Sequence, residues 1–230
     1  MRTFAFALSV ALSVGLGTLS DARAGSEPAP KTKAVKPTPI PKTLAEIEAH
    51  YAKKGTLEAR FEQVEEIAST QTRKNSGGTL MVKRPSRFRW QTETPEPSLF
   101  VTDGKKMWQY TPPFDETDHG QVLVQDASKV QSKLADALLA GQFSQVKGLK
   151  IQQLKEGQFE LVPKKGSAGT VVRATVQVDA QAKLITEVAL EHAGGNKAQI
   201  KLSKIALGGA LKDESFQFTP PAGTSVVTSP

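Results

Sequence analysis

The chain has no cysteine. That excludes disulfide staples, thiolate metal sites, a cysteine nucleophile and lipid attachment at an N-terminal cysteine, so stability must come from buried apolar surface. Histidine is nearly as scarce: His50, His119 and His192 are the three present, far apart in the chain. The signatures G-x-S-x-G, H-E-x-x-H, the P-loop and G-x-G-x-x-G are all missing. The one grouping of ligand-like types, Asp115-Glu116-Thr117-Asp118-His119, has the spacing of neither a Ca²⁺ nor a Zn²⁺ motif and reads as a solvated loop. A Ser/His/Asp triad assembles in space and has no spacing to read, but the small stock of histidine argues against one. A protein that is not an enzyme, with no metal and no cofactor, is expected.

Long apolar runs are absent after the first residues. The run Phe4–Val14 follows Arg2 and precedes Ala22-Arg23-Ala24, an A-x-A pattern. Residues 1–24 therefore read as a signal peptide cleaved after Ala24; a membrane anchor fits less well because the run is short and interrupted by Ser and Gly. A protein exported from the cytoplasm and soluble outside it is expected. The formal charge of +7 divides unevenly. Residues 1–43 hold six Lys and Arg against two Asp and Glu, a net +4, which leaves +3 for everything else. That balance and export disfavour nucleic acid as a partner. Residues 25–42, GSEPAPKTKAVKPTPIPK, are a Pro/Lys-rich linker with too little apolar surface to pack.

From residue 43 to 224 the pattern is that of one folded domain. Thr43 is placed to cap a helix over Leu44–Lys54, with Glu46 completing a capping box and Gly55 as the stop; Leu44, Ile47 and Tyr51 form its apolar stripe. Period two begins at Thr56, where Leu57, Ala59 and Phe61 alternate with Glu58, Arg60 and Glu62. Two hairpins follow, Leu80–Trp90 and Val101–Tyr110, then a strand at Gln121–Gln125 and a helix over Ser128–Ala140 ended by Gly141. Further strands are predicted at 149–154, 158–162, 170–178, 184–190 and 198–207, with a last one at Phe216-Gln217-Phe218. Short turns between consecutive strands make an antiparallel meander, and ten or more strands curl. Aromatics are only 6% of residues, too few to fill a closed barrel tightly. Two helices over the concave face of such a sheet would cover an apolar cavity.

Arg84 is the odd residue of the first hairpin. It shares a strand face with Leu80 and Val82, so its guanidinium needs carbonyls, a carboxylate or a wet mouth within reach. Phe88 and Trp90 share one face of the next strand and Arg87 and Arg89 the other. These could be a nucleic-acid stacking platform, a ligand-facing pair or core residues flanked by snorkelling arginines, and export disfavours the first.

These residues bear a resemblance. Val82-Lys83-Arg84-Pro85-x-x-Phe88-x-Trp90 resembles the signature hairpin of the LolA family of periplasmic lipoprotein carriers, and Val101-x-Asp103-Gly104-Lys105-x-x-Trp108-x-Tyr110-x-Pro112 its next hairpin. Leu57-x-x-x-Phe61-x-Gln63 is similar to its first strand and Phe216-Gln217-Phe218-Thr219-Pro220-Pro221-x-Gly223 to its C-terminal end, in the family's order. The resemblance implies a mainly β fold with some α: an unclosed antiparallel barrel, or strongly curved sheet, with a helical lid over an apolar cavity. It implies a chaperone that takes acylated lipoproteins from an inner-membrane LolCDE-like ABC transporter, hides their acyl chains, and delivers them to a LolB-like receptor or the outer membrane. It gives Arg84 the role of lid latch and Phe88 that of receiving cargo from the transporter. The lining expected of the cavity is Phe61, Leu80, Val82, Trp90, Val101 and Trp108 from the strands, with Leu134 and Leu138 from the second helix. Met81 stands where the family often has Trp, which is expected to alter the cavity's shape. A monomer is expected. The rivals are a periplasmic binding protein for another lipid or amphiphile, a hydrolase on a curled sheet, and a structural envelope protein.

Overall fold

The structure, a computed structural model, describes residues 39–228 apart from 116, 117, 130–132, 147 and 166, and leaves out the side chains of 129 and 133. The expected signal peptide and most of the expected linker lie outside the described residues.

Helix α1 spans Lys42–Lys54 and buries Leu44, Ile47 and Tyr51, the predicted stripe. Gly55 ends it in the left-handed region (φ 75°), its N–H bonding to the Tyr51 carbonyl. The start differs from the expected Thr43 cap. Pro41 is the N-cap, with no side-chain cap bond, and its carbonyl accepts from the Ala45 N–H at 3.0 Å. A proline needs no N–H partner there, and its extended ψ turns the chain into the helix one residue before Thr43. Lys42, which composition assigns to the linker, is thus helical, and Ile40 packs against the core.

Strands β1 (Thr56–Ile67), β2 (Thr72–Lys83), β3 (Arg87–Thr94), β4 (Ser98–Thr102), β5 (Lys106–Thr111) and β6 (Gln121–Asp126) form one antiparallel meander. After a helical turn at Ala127–Lys129 comes α2 (Lys133–Leu139), then a turn at Phe143–Gln145. A second meander follows: β7 (Lys150–Lys155), β8 (Gln158–Val162), β9 (Val171–Asp179), β10 (Leu184–His192) and β11 (Lys197–Leu207). Strand β11 returns to pair with β1, Phe61 facing Leu202. The result is one curved, unclosed sheet of twelve strands in the order β12-β6-β5-β4-β3-β2-β1-β11-β10-β9-β8-β7, where β12 is Ser225–Thr228. The main core lies between its inner face and the helices. Leu44, Ile47 and Tyr51 of α1 and Leu134 and Leu138 of α2 join one apolar cluster with inward residues of both meanders.

Three expectations are corrected. Where a helix is predicted over Ser128–Ala140, the described residues show a helical turn at Ala127–Lys129, whose Ser128 N–H donates to the Asp126 carboxylate, and α2 at Lys133–Leu139. Phe216-Gln217-Phe218 is not a strand. Phe216 ends a helical turn at Asp213–Phe216, and the segment crosses the outer face of the sheet instead of pairing. The residues leading into it are tied to the sheet by side chains: Lys83 Nζ donates to Leu211 O at 2.7 Å and Arg89 Nη1 to Ser215 O at 3.1 Å. The last strand is β12, beyond the predicted end at 224, and it pairs parallel with β6. Around this crossing segment a second cluster forms from Leu99, Val101 and Phe216, with Met81, Trp108, Tyr110 and Phe218 packed on it. Met81 therefore lies on the outer face and does not shape the interior.

Candidate functional site

The β2–β3 hairpin carries Arg84 in its turn, just past the last ladder pair, Lys83 opposite Arg87. The Arg84 N–H bonds to the Gly55 carbonyl at 2.9 Å, which fixes the turn against the end of α1. From there the guanidinium reaches across the rim. Its Nη2 donates to the Ala140 carbonyl at 2.8 Å and to the Gly141 carbonyl at 3.3 Å. Partial burial pulls its pKa down, the nearby Glu48 carboxylate opposes that shift, and an arginine remains charged regardless.

Those two carbonyls are available because of how α2 ends. Gly141 is left-handed (φ 63°), its N–H bonds to Leu138 O, and the Gln142 N–H bonds to Ala137 O, a Schellman ending. The carbonyls just beyond, on Ala140 and Gly141, have no helical donor left and sit at the negative end of the helix dipole. A guanidinium is suited to both the geometry and the sign.

Other bonds sew the helical segment down. The Glu48 carboxylate of α1 accepts from the Ser144 hydroxyl at 2.6 Å and from its N–H at 3.2 Å. The Tyr51 hydroxyl accepts from the Ile185 N–H of β10 at 3.0 Å. Gly141 lies against the Tyr51 ring so closely that a Cβ there would come within 2.9 Å of it. Gln142 Nε2 donates to the Pro85 carbonyl at 3.4 Å, a second contact between α2's end and the hairpin turn.

Beneath the helices, Phe61 of β1 and Trp90 of β3 stack with ring centroids 3.7 Å apart and planes at 25°. They lie on strands flanking β2, where Gly78 stands opposite Phe61 and Leu80 opposite Trp90. A Cβ on Gly78 would collide with the Gln91 carbonyl and come within 2.9 Å of the Phe61 ring. Glycine there lets two rings meet over an intervening strand. Leu80 and Val82 continue the inner face toward the hairpin tip, and Phe88 meets Phe100 edge-on at 5.9 Å.

Of the residues expected to line a cavity, Phe61, Leu80, Val82, Trp90, Leu134 and Leu138 come together in the main cluster, and Phe88 is with them. Val101 and Trp108 do not. Val101 stands opposite Arg89, an outward position of β3, and Trp108 stands opposite Val101, so both face the outer cluster. The flanking arginines are engaged outside: Arg87 pairs with Asp213 at 2.8 Å, and Arg89 holds Ser215. Tyr51, Phe143 and Gly78 belong to the site without any sequence motif assigning them to it; the Gly77-Gly78 pair inside a strand pattern is the signal that marks a close approach. In the loop before β6, Asp118 spends its carboxylate on the N–H groups of Phe114 and His119.

Residues 52–219 match the family described as "Outer membrane lipoprotein carrier protein LolA". The chain is 31% identical over 176 residues to the outer-membrane lipoprotein carrier protein of Dechloromonas aromatica (strain RCB), covering 75% of this chain and 81% of that protein. It is 27% identical over 186 residues to that of Chromobacterium violaceum, covering 80% and 87%. Among solved structures, an uncharacterized conserved protein from Thermus thermophilus superposes with a TM-score of 0.50 at 13% identity, over 82% of this chain and 100% of that one, a likeness of fold alone. By its family match and its carrier relatives, this chain belongs to the LolA family of outer membrane lipoprotein carrier proteins.

Proposed function

We propose that the protein ferries acylated lipoproteins across the periplasm. Residues 1–24 direct export and the Pro/Lys-rich stretch that follows is a spacer. Cargo is taken from an inner-membrane LolCDE-like transporter, held with its acyl chains against the inner face of the sheet, and passed to a LolB-like receptor or to the outer membrane directly. Each acyl methylene costs about 0.8 kcal/mol to expose to water, so the chains need cover in transit. Without an energy source outside the cytoplasm, that cover must have two states only a few kcal/mol apart. The observation that carries this reading is the pair of bonds from Arg84 to the Ala140 and Gly141 carbonyls. Such charge-assisted bonds, worth about 1.5–3 kcal/mol, are of the right size to hold a helical cover that still reopens. Arg84 is the latch. Phe88, opposite Val82 near the hairpin tip, becomes the aromatic presented to the transporter when α2 lifts. No catalytic step enters this cycle.

The test is release of radiolabelled outer-membrane lipoproteins from spheroplasts that carry the matching transporter, on adding the purified mature protein. Soluble complexes are expected with the wild type and their loss with Phe88→Glu. Absence of release with the wild type would overturn the carrier role in favour of a binding protein for another amphiphile.

A further inference from the structure

Among the described residues two polar side chains are buried in the sheet, Gln63 and Thr92. Gln63 follows Phe61 by two on β1, and Thr92 follows Trp90 by two on β3. Both strands run antiparallel to β2 and therefore parallel to each other. The two residues thus stand one pleat beyond the stacked rings, at the end of the inner face remote from Arg84. From Phe88 to Thr92 is about 13 Å of strand.

Gln63 is the anomaly of the pair. It is 3% exposed, and its Nε2 has no hydrogen-bond partner among the described residues. Its cross-strand neighbours are Ser76 on β2 and Ile200 on β11. Glu65, the next inward position, has its pKa raised by burial, against the pull of Lys74, which stands opposite it on β2, and of the Gln63 side chain. A buried amide left unpaired weakens the fold, and the inward positions before it on β1, Leu57, Ala59 and Phe61, are all apolar. The donor faces the same interior that the helices cover.

What suits an unpaired N–H donor at the margin of an apolar face, with a carboxylate already beside it, is a neutral acceptor joined to hydrocarbon. A carboxylate or phosphate would place a second negative charge beside Glu65, whose own charge burial already disfavours. We propose that Gln63 reads the ester carbonyl at the head of a fatty acyl chain, so that the interior grips acyl esters in preference to bare hydrocarbon. This rests on the carrier reading above.

The test is displacement of a fluorescent fatty acyl probe from the purified mature protein by 1-monododecanoylglycerol and by its ether analogue, 1-O-dodecylglycerol. The wild type should bind the ester about three- to tenfold more tightly than the ether, the effect of one neutral hydrogen bond. Gln63→Leu, or Gln63→Met with nearly the same length, should bring the ratio to one. A ratio unchanged in both variants overturns the proposal and leaves the carrier reading intact. If neither ligand displaces probe from the wild type, both fall. The same comparison with a synthetic diacylglyceryl-cysteine dipeptide and with dioleoylphosphatidylglycerol assigns the ester. Affinity lost in Gln63→Leu for the dipeptide alone identifies the cargo's ester, for the phospholipid alone a membrane lipid's, and for both any acyl ester; loss for neither overturns the proposal.

Discussion

Arg84 Nη2 lies 2.8 Å from the carbonyl oxygen of Ala140, a bond that joins a hairpin turn to the end of a helix 56 residues further along the chain. The helix offers that carbonyl because its own Schellman ending leaves it unclaimed, and the hairpin offers that arginine because the ladder stops one residue short of it. Neither half is informative without the other.

Replacing Arg84 by leucine should free the end of α2 while leaving the sheet in place. The guanidinium is partly exposed, so the expected loss is toward the lower end of a charge-assisted bond, about 1–2 kcal/mol. Hydrogen exchange read by mass spectrometry should show faster exchange over α2 and the turn after it, with β1 and β11 unchanged. Cargo should still load and be handed on poorly; efficient transfer to an acceptor by this variant would remove the latch from the mechanism.

Gly78→Ala tests the ring stack. The added Cβ meets the Gln91 carbonyl, a backbone atom that cannot swing away, and the Phe61 ring. The expected cost is about 3 kcal/mol, read from the urea midpoint, with a shift in the emission of Trp90 as the stack opens. A variant as stable as the parent, with unchanged fluorescence, would contradict the close approach.

Tyr51→Phe removes only a hydroxyl. That oxygen is the acceptor for the Ile185 N–H, and burial pushes the phenol's pKa up. Leaving the N–H unpaired should cost about 1–2 kcal/mol by denaturant titration. A Phe variant of equal or greater stability would mean that water reaches the Ile185 N–H.

Asp136, on α2, gives the fold a pH dependence. Burial pushes its carboxyl up to about 7. The folded protein then keeps a proton that the unfolded chain loses near 3.8, so stability falls as pH rises from about 3.8 to about 7 and is level above that. His192, whose pKa burial lowers, slopes the other way, and Glu65 slopes the same way as Asp136. The contrast that isolates Asp136 is therefore wild type against Asp136→Asn. The difference between their urea midpoints should grow in favour of Asn between pH 5 and pH 7.5. A constant difference would show that Asp136 is solvated.

The alternation of apolar and polar residues makes most of the sheet legible. Leu57, Ala59 and Phe61 face in as expected, and so do Leu80 and Val82, because period two leaves a half-buried strand no second choice. Val101 and Trp108 escape this logic. The residues of β4 and β5 are apolar or amphipathic on both faces, since the outer face is also covered, and a strand buried on both sides carries no alternation. Phe216-Gln217-Phe218 reads as a strand for the same reason: Phe-Gln-Phe has strand periodicity whether it joins a ladder or lies on the outer face behind residues held by Lys83 and Arg89. The Arg84 contact is legible only as a demand for acceptors. Which acceptors cannot be read, since they belong to a helix end whose position depends on the whole sheet's curvature.

The strand order has a mechanical corollary. The connection between the two meanders leaves β6, one strand in from one edge, and enters β7 at the opposite edge. It runs across the hollow of the sheet as a string runs across a bow. Any flattening of the sheet lengthens the span that the string must cover, and any slack released at Arg84 lets the bow relax. In this geometry a shortened connection would restrain the curvature of the sheet.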